Sequence, residues 1–312
     1  MKRALVTGSS GFVGRHLAAA LVLQGYGVDG VDIRHGTHTT SVCDARRWLR
    51  RDGQPVGHYD LVVHCAAVVG GRTMIDGEPL RLAVEDLTLD AELFRWAMRA
   101  RPKRIVAFSS SAAYPVWAQT ESAALVRGGL SEELIGLGGW EQPDQTYGWV
   151  KLTLERLAAE ANAEGIRTHV FRPFSGYGSD QDDSYPFPAI IRRAIEHRLA
   201  SAPFLVWGSP RSTRDWVHID DVVACVLAHI DADEIGPVNI CTGRPTTFAE
   251  LAHLALRLVG FGGTEIAGDS TKPIGVFHRV GDPTVMRRIY TPQVSIEQGV
   301  ARAVEVMRSC VE

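Results

Sequence analysis

Along the first 173 residues, short apolar and β-branched runs alternate with stretches whose apolar positions recur at helical spacing. Arg3–Thr7, Gly27–Asp32 and Leu61–His64 read as strands. Val13, Leu17, Ala20 and Leu21 fall on one face of a helix over 12–24. A short helix is expected over 46–51 and a long one over 80–101, closed by Pro102. A strand follows over 104–109, a helix over 147–164 ended by Gly165, and a strand over 167–172 stopped by Pro173. Strand–helix alternation of this kind predicts a parallel sheet covered on both faces, an α/β doubly wound fold.

Beyond Pro173 the texture changes. The stretch 175–188 is rich in Gly, Asp, Ser and Pro and reads as a loop, followed by a helix over 189–198. A helix over 219–230 and a strand over 238–241 come next. Thr247 with Glu250 forms a capping-box pattern for a helix to about 259, and Ser295 with Gln298 opens the last helix in the same way. This part predicts a smaller mixed lobe. The stretch 116–142 carries Gly128, Gly129, Gly136, Gly138 and Gly139 and reads as an irregular insert with one short helix at 131–137. Two interleaved units are expected: 1–173 with about 216–242, and about 174–215 with 243–312.

A length of 312 residues suits two domains, and 45% hydrophobic with 22% charged residues excludes a disordered chain. Lys plus Arg is 33 and Asp plus Glu 36, a net charge of -3, so no nucleic-acid partner is expected, and an anionic ligand needs local counter-charge. No apolar run reaches the ~18 residues of a membrane span, and the opening Ala4–Val6 run breaks at Thr7-Gly8, too soon for a signal-peptide core. Cys43, Cys65, Cys225, Cys241 and Cys310 are odd in number, scattered and without a CxxC pair, which predicts neither disulfides nor a zinc site and suits a cytoplasmic protein.

The candidate chemistry begins at Gly8-Ser9-Ser10-Gly11-Phe12-Val13-Gly14, between the first strand and the first helix. Gly8 permits the tight turn, Gly11 lets backbone approach a pyrophosphate on the helix N-terminus, and Gly14 allows close helix–sheet packing. Asp32 ends the second strand 18 residues after Gly14, where a carboxylate accepts from a ribose diol and repels a 2′-phosphate, favouring NAD over NADP; Arg34 nearby pulls the other way. Asp44 either binds an adenine amino group or caps the helix after it. Tyr147 and Lys151 stand at i, i+4 on one helix face, and an ammonium so placed favours the phenolate of a neighbouring phenol. Ser109-Ser110-Ser111 ends a strand, the edge where open α/β sheets bind ligands.

With these residues the chain resembles the extended short-chain dehydrogenases/reductases of the nucleotide-sugar epimerase/dehydratase group. Further carriers are His64-Cys65-Ala66-Ala67, Ser109 to Tyr114, Arg172-Pro173 with Tyr177-Gly178, Arg214 to Asp221, and Arg279-Val280-Gly281-Asp282. The resemblance implies a Rossmann domain holding NAD and a small lobe gripping a nucleoside diphosphate sugar. It implies Tyr147 as acid/base, Lys151 on the nicotinamide ribose and Ser110 as the catalytic serine, four residues before Tyr114. The cofactor would touch Gly8, Ser10, Gly11, Phe12, Val13, Gly14, Asp32, Ile33, Arg34, Asp44, Ala45, Cys65, Ala66, Ala67, Ser109, Tyr147, Lys151 and Pro173. The substrate would touch Val69, Gly70, Gly71, Ser110, Ser111, Arg214 and Arg279. Val69-Gly70-Gly71-Arg72 resembles the substrate loop of the GDP-fucose synthase type. Arg214 and Arg279 match pyrophosphate contacts, a role suited to the planar guanidinium, though surface arginines are the plainer alternative. His218-Ile219-Asp220-Asp221 reads as a helix start with an Asp cap.

Ser111 and Ala112 stand where sugar dehydratases of this resemblance carry Asp-Glu, and Ala112 where the fucose-synthase type carries Cys; 179–187 holds no His. What remains is chemistry that needs Ser, Tyr, Lys and NAD: C4 epimerisation through a 4-keto sugar. A ketoreductase or dehydrogenase is the alternative enzyme, and an NAD-binding sensor the alternative of another class. Trp117 and Trp140 either stack on the substrate or anchor the insert. A homodimer is expected through the helices over 80–101 and 147–164, whose Leu87, Leu89, Leu93, Phe94, Trp96, Leu152, Leu154 and Leu157 exceed one core stripe, unless they are core within one chain.

Overall fold

A computed structural model describes residues 1–51, 58–68, 70, 72–136, 142–197, 202–232 and 236–309. The first part of the chain runs β1 (Arg3–Thr7), α1 (Phe12–Leu23), β2 (Gly27–Asp32), β3 (Ser41–Val42), α2 (Ala45–Leu49), β4 (Leu61–His64), α3 (Arg72–Gly77), α4 (Pro79–Ala100), β5 (Ile105–Phe108), α5 (Glu121–Arg127), α6 (Gln145–Ala163) and β6 (Thr168–Pro173). The rest runs β7 (Ser175–Tyr177), α7 (Pro186–Glu196), β8 (Phe204–Trp207), β9 (Thr213–Arg214), β10 (Trp216–His218), α8 (Ile219–His229), β11 (Val238–Ile240), β12 (Thr246–Thr247), α9 (Phe248–Leu258), β13 (Ile266–Asp269), β14 (His278–Arg279) and α10 (Ile296–Ser309).

The order β11-β6-β5-β4-β1-β2-β3 forms one seven-stranded sheet, parallel throughout, the expected α/β Rossmann arrangement. Side chains alternate across it. Ala4 and Val6 join Leu17, Leu21, Val222 and Val226 under α1 and α8, while Leu5 and Val62 join Leu93 and Leu154 under α4 and α6. A third core gathers α7, α9 and α10 around Tyr177, Phe187 and Trp216.

Three expectations need correction. The loop expected over 175–188 contains β7 and the first turn of α7. β7 exists because it pairs with β10, a long-range partner, and Pro186 sits at a helix start, where a missing N–H leaves nothing unpaired. In the insert the described part of 131–137 is a single 3₁₀ turn, Glu132–Leu134, and the helix is α5, capped by Thr120, whose hydroxyl accepts from Ala123 N at 3.2 Å. The cap of α8 is His218, whose ring accepts from Asp220 N, rather than an aspartate. Leu89, Leu93, Phe94, Trp96 and Leu154 are core within one chain. Both capping patterns, Thr247/Glu250 and Ser295/Gln298, form reciprocally. Cys43, Cys65, Cys225 and Cys241 are free; Leu137, Gly138, Gly139, Trp140, Arg198 and Cys310 lie outside the described residues. Among the described residues no helix is long and apolar enough to cross a membrane.

One buried ion pair ties these layers together. Glu155 on α6 accepts from Arg172 Nε at 2.8 Å and Nη2 at 2.6 Å, and from Ser109 Oγ at 2.5 Å. Arg172 Nη1 also reaches Tyr114 Oη at 3.2 Å, which donates to Asn239 at 2.8 Å. Removing one member strands a charge at a site where Arg172 is 2% and Glu155 4% exposed. Glu155→Ala is therefore expected to cost about 3–5 kcal/mol in urea unfolding. A loss under about 1 kcal/mol would show that the pair does not organise the core.

Candidate active site

The sheet reverses its winding between β1 and β4, the place where open α/β sheets bind ligands beyond their carboxyl ends. The glycine turn after β1 lies against the backbone after β4. Gly8 has φ +71°, and a Cβ there would stand 2.6 Å from Ala66 N; one at Gly14 would stand 2.0 Å from the Gly8 carbonyl oxygen. A side chain at Gly8 would part this turn from the backbone after β4, and one at Gly14 would part α1 from the turn. No side chain caps α1 at Gly11, so its first-turn amides lack an internal acceptor, the condition in which a helix N-terminus takes an anion. Asp32, 8% exposed, accepts from Ser10 N and Arg34 N, each at 2.9 Å, and keeps further lone pairs for a diol. Ile33 and Arg34 beside it are exposed. Asp44 caps α2 through Arg46 N at 2.8 Å, so the capping reading of that residue is present in the fold. An uncapped helix, a side-chain-free turn and a strand-end carboxylate together fit a dinucleotide.

Ser109 turns its hydroxyl into the core toward Glu155, so its side chain is not offered to a ligand. Ser110 caps the turn Ser111–Ala113, its Oγ accepting from Ala112 N at 3.1 Å, and its own proton stays uncommitted. A Cβ at Gly148 would stand 2.4 Å from Ala112 O, so this glycine lets α6 close onto that turn and brings Ser110 and Tyr147 to one pocket. Lys151 Nζ lies 5.5 Å from the centre of the Tyr147 ring. Burial opposes the Lys151 charge, but Tyr147, Asp86 and Asp90 outweigh it, and the ammonium is held more firmly than usual.

The cavity of about 180 Å³ beside Ser110 and Tyr147 has a strongly basic wall. Arg279 stands across from Arg214 in the parallel pair β14–β9, so the two predicted arginines meet from distant positions in the chain. Arg279 donates to Asp144 at 2.6 Å and to Gln119 Oε1 at 2.6 Å; Arg72 reaches Asp144 at 3.1 Å. Burial pushes Asp144 up, but Arg279 and Arg72 more than offset it and hold the carboxyl below its usual range. Arg214 donates to the Thr213 carbonyl at 2.7 Å and lies over the Phe248 ring. Burial, reinforced by Arg279, pushes its guanidinium down to about 9. It is still charged at neutral pH and has no carboxylate partner among the described residues.

Gln119, Asp144 and Gly148 escaped sequence reasoning, and Arg72 was read only as the end of the substrate-loop resemblance, without a contact of its own. Arg72 follows directly on the Gly70-Gly71 pair, a signal available in the sequence. Asp144 stands at the α6 N-cap and reads as a cap, yet its side chain makes no cap bond. Gln119 belongs to the insert and had no visible purpose. Gly70 lies beside Met74; Val69 and Gly71 lie outside the described residues. Trp117 is 46% exposed on the insert. No group of three or more His, Cys, Asp or Glu placed to hold a metal occurs among the described residues.

Residues 4–241 match the NAD dependent epimerase/dehydratase family, and the chain belongs to it. Its sequence is 26% identical to the GDP-L-fucose synthase of Sinorhizobium fredii (strain NBRC 101917 / NGR234), over 97% of this chain and 95% of that one. Its fold is similar to that of UDP-glucose 4-epimerase with UDP-glucose from Thermotoga maritima, TM-score 0.86 and 24% identity, covering 99% of this chain and 100% of that one. It is also similar to UDP-glucuronic acid 4-epimerase from Bacillus cereus in complex with UDP-glucuronic acid and NAD, TM-score 0.80 and 20% identity, over 99% of each.

Asp144 has a lowered folded-state pKa, so its stabilising contribution is complete above about pH 4 and lost as pH falls through the folded value. Asp144→Asn is expected to cost about 2 kcal/mol at neutral pH, with the gap to the parent constant down to about pH 4 and closing as pH falls further through the lowered folded value. A pH-independent gap in urea unfolding would overturn the ion-pair account.

Proposed function

We propose that the protein is a nucleotide-sugar 4-epimerase. The observation that supports this most directly is the proton inventory of the cavity. Among its described lining residues no His, Cys or Glu occurs, and Asp144 is locked between two arginines. Tyr147 is left as the proton handler, with Ser110 as hydrogen-bond donor. C4 epimerisation needs no other acid or base.

NAD, when bound, supplies hydride acceptance and return. Gly8, Gly11 and Gly14, with Ser10, Phe12 and Val13, would hold its pyrophosphate; Asp32, Ile33, Arg34, Asp44 and Ala45 the adenosine; Cys65, Ala66, Ala67, Ser109 backbone, Lys151 and Pro173 the nicotinamide side. Tyr147 takes the proton of the C4 hydroxyl while Ser110 hydrogen-bonds the same oxygen. It returns the proton after the keto sugar has turned its other face. Arg214 and Arg279, joined by Arg72, set three guanidinium groups on the cavity wall; Asp144 and Asp76 offset two of them, and the remaining charge with the planar donors suits a diphosphate diester and leaves the sugar free to rotate about it. The interleaved units 1–173 with about 216–242, and about 174–215 with 243–312, belong to this reading, as does a cytoplasmic location. So does a homodimer through α4 and α6, where Leu80, Val84 and Trp149 stay exposed.

The relative named GDP-L-fucose synthase favours a second reading, reduction of a keto-sugar nucleotide. Incubation with a panel of UDP-, GDP-, dTDP- and CDP-sugars separates them. Sugar NMR is expected to find C4 inversion without added cofactor; net consumption of NADH or NADPH would favour the reductase instead. Tyr147→Phe is expected to lose on the order of 10²–10⁴-fold in turnover, and retention of most activity would remove Tyr147 from its role. NADH is expected to bind more tightly than NADPH because of Asp32, and the reverse order would sink that assignment.

A further inference from the structure

Behind the catalytic pair lies a buried acidic group that the reading above does not use. Asp86 on α4 is 1% exposed. Its Oδ1 accepts from Val68 N at 2.6 Å, and its Oδ2, with no hydrogen-bond partner, stands 3.8 Å from Lys151 Nζ. One turn further along α4, Asp90 accepts from His64 Nε2 at 3.2 Å, and His64 Nδ1 meets Thr7 Oγ1 at 2.8 Å. Asp90 Oδ2 is also unpartnered and buried. A carboxylate oxygen left without a hydrogen bond in the interior is costly, so its placement against an ammonium calls for a reason.

We propose that Asp86 is a positioning residue, which anchors the Lys151 ammonium from behind and offsets the field that Lys151 exerts on Tyr147. The proposal rests on Tyr147 being the acid/base. An epimerase asks the same phenol to take a proton in one half-reaction and return it in the other. A lone buried ammonium would favour the phenolate so strongly that it became a poor base, reluctant to take up the proton it must later return; a neighbouring carboxylate restores the balance. The groups facing Lys151 are Tyr147 on its own helix, Asp86 and Asp90 on α4, and Cys65 after β4; Asp86 in turn faces Asp90 and His64, and Tyr185 approaches Tyr147. Burial raises Asp86, while Lys151 and the Val68 amide act against it.

The test needs no substrate. Ionised tyrosine is followed at 295 nm as pH is raised, in the parent, Asp86→Asn, Asp90→Asn and Tyr147→Phe. Burial pushes Tyr59, Tyr114, Tyr177, Tyr185 and Tyr290 upward, so they ionise late, and the Tyr147→Phe trace isolates the phase belonging to Tyr147. Asp86→Asn keeps an acceptor for Val68 N and is expected to bring that phase in about one pH unit earlier, roughly a tenfold rise in phenolate at a given pH. Asp90→Asn, whose carboxylate is engaged by His64, is expected to move it less. If Asp86→Asn does not fold, as read by near-ultraviolet circular dichroism, Asp86→Ser carries the same expectation. An unmoved phase that Tyr147→Phe still removes would overturn the proposal and leave the acid/base reading standing. If Tyr147→Phe removes no phase, the acid/base reading falls and the proposal with it.

Discussion

The Glu155–Arg172 pair is the constraint on which the placement of the site depends. Glu155, Lys151 and Tyr147 are spaced by four residues along α6 and so share one stripe of the helix. Fixing Glu155 against β6 and the Ser109 hydroxyl sets the rotation of α6, and that rotation aims Lys151 and Tyr147. The same guanidinium meets Tyr114 and the Glu132 carbonyl, so the insert is attached to the helix it flanks. Buried ion pairs rarely add net stability over apolar packing of equal volume. Here the pair's contribution is better understood as geometric: it permits one rotation of α6, because any other leaves a charge unpaired in the interior.

The Rossmann half was readable from the sequence because its signals are local. β1 and β4 are short apolar runs, β2 is a short strand ended by Asp32, α1 has an unbroken helical period, and the glycine turn excludes a side chain at Gly8 and Gly14. The second half was less readable because its elements exist through distant partners. β7 is three residues held by β10, and β9 and β14 are two residues each, paired across a gap of some sixty positions. No local propensity announces strands so short. Their consequence was nevertheless visible, since Arg214 and Arg279 were expected together and the β9–β14 register places them side by side.

The residues that escaped notice share one feature: their role is set by what they face, not by their neighbours in sequence. Asp144 occupies a position where aspartate ordinarily caps a helix, yet it serves two arginines from different parts of the fold. Gln119 gives the insert a purpose. It donates to the Tyr114 and Pro115 carbonyls and accepts from Arg279, so the irregular insert holds a guanidinium at the cavity. Gly148 carries no catalytic group, but without it α6 could not approach the Ser110 turn.

Charge distribution then explains how a chain of net charge -3 accommodates an anionic ligand. Coulombic attraction over long range is screened within about 10 Å, so the whole-chain balance matters little inside a cleft. Locally, Arg72, Arg214 and Arg279 gather around Asp144, and Arg72 pairs with Asp76 as well. Asp144 offsets the repulsion between Arg72 and Arg279, while Arg214 feels the same charge but forms no ion pair among the described residues. On the opposite side of Tyr147 the balance is reversed, with one ammonium set before two buried carboxylates. Under the proposed 4-epimerase reading, the positive wall would suit a diphosphate, while the compensated lysine would suit a phenol that both takes and gives a proton.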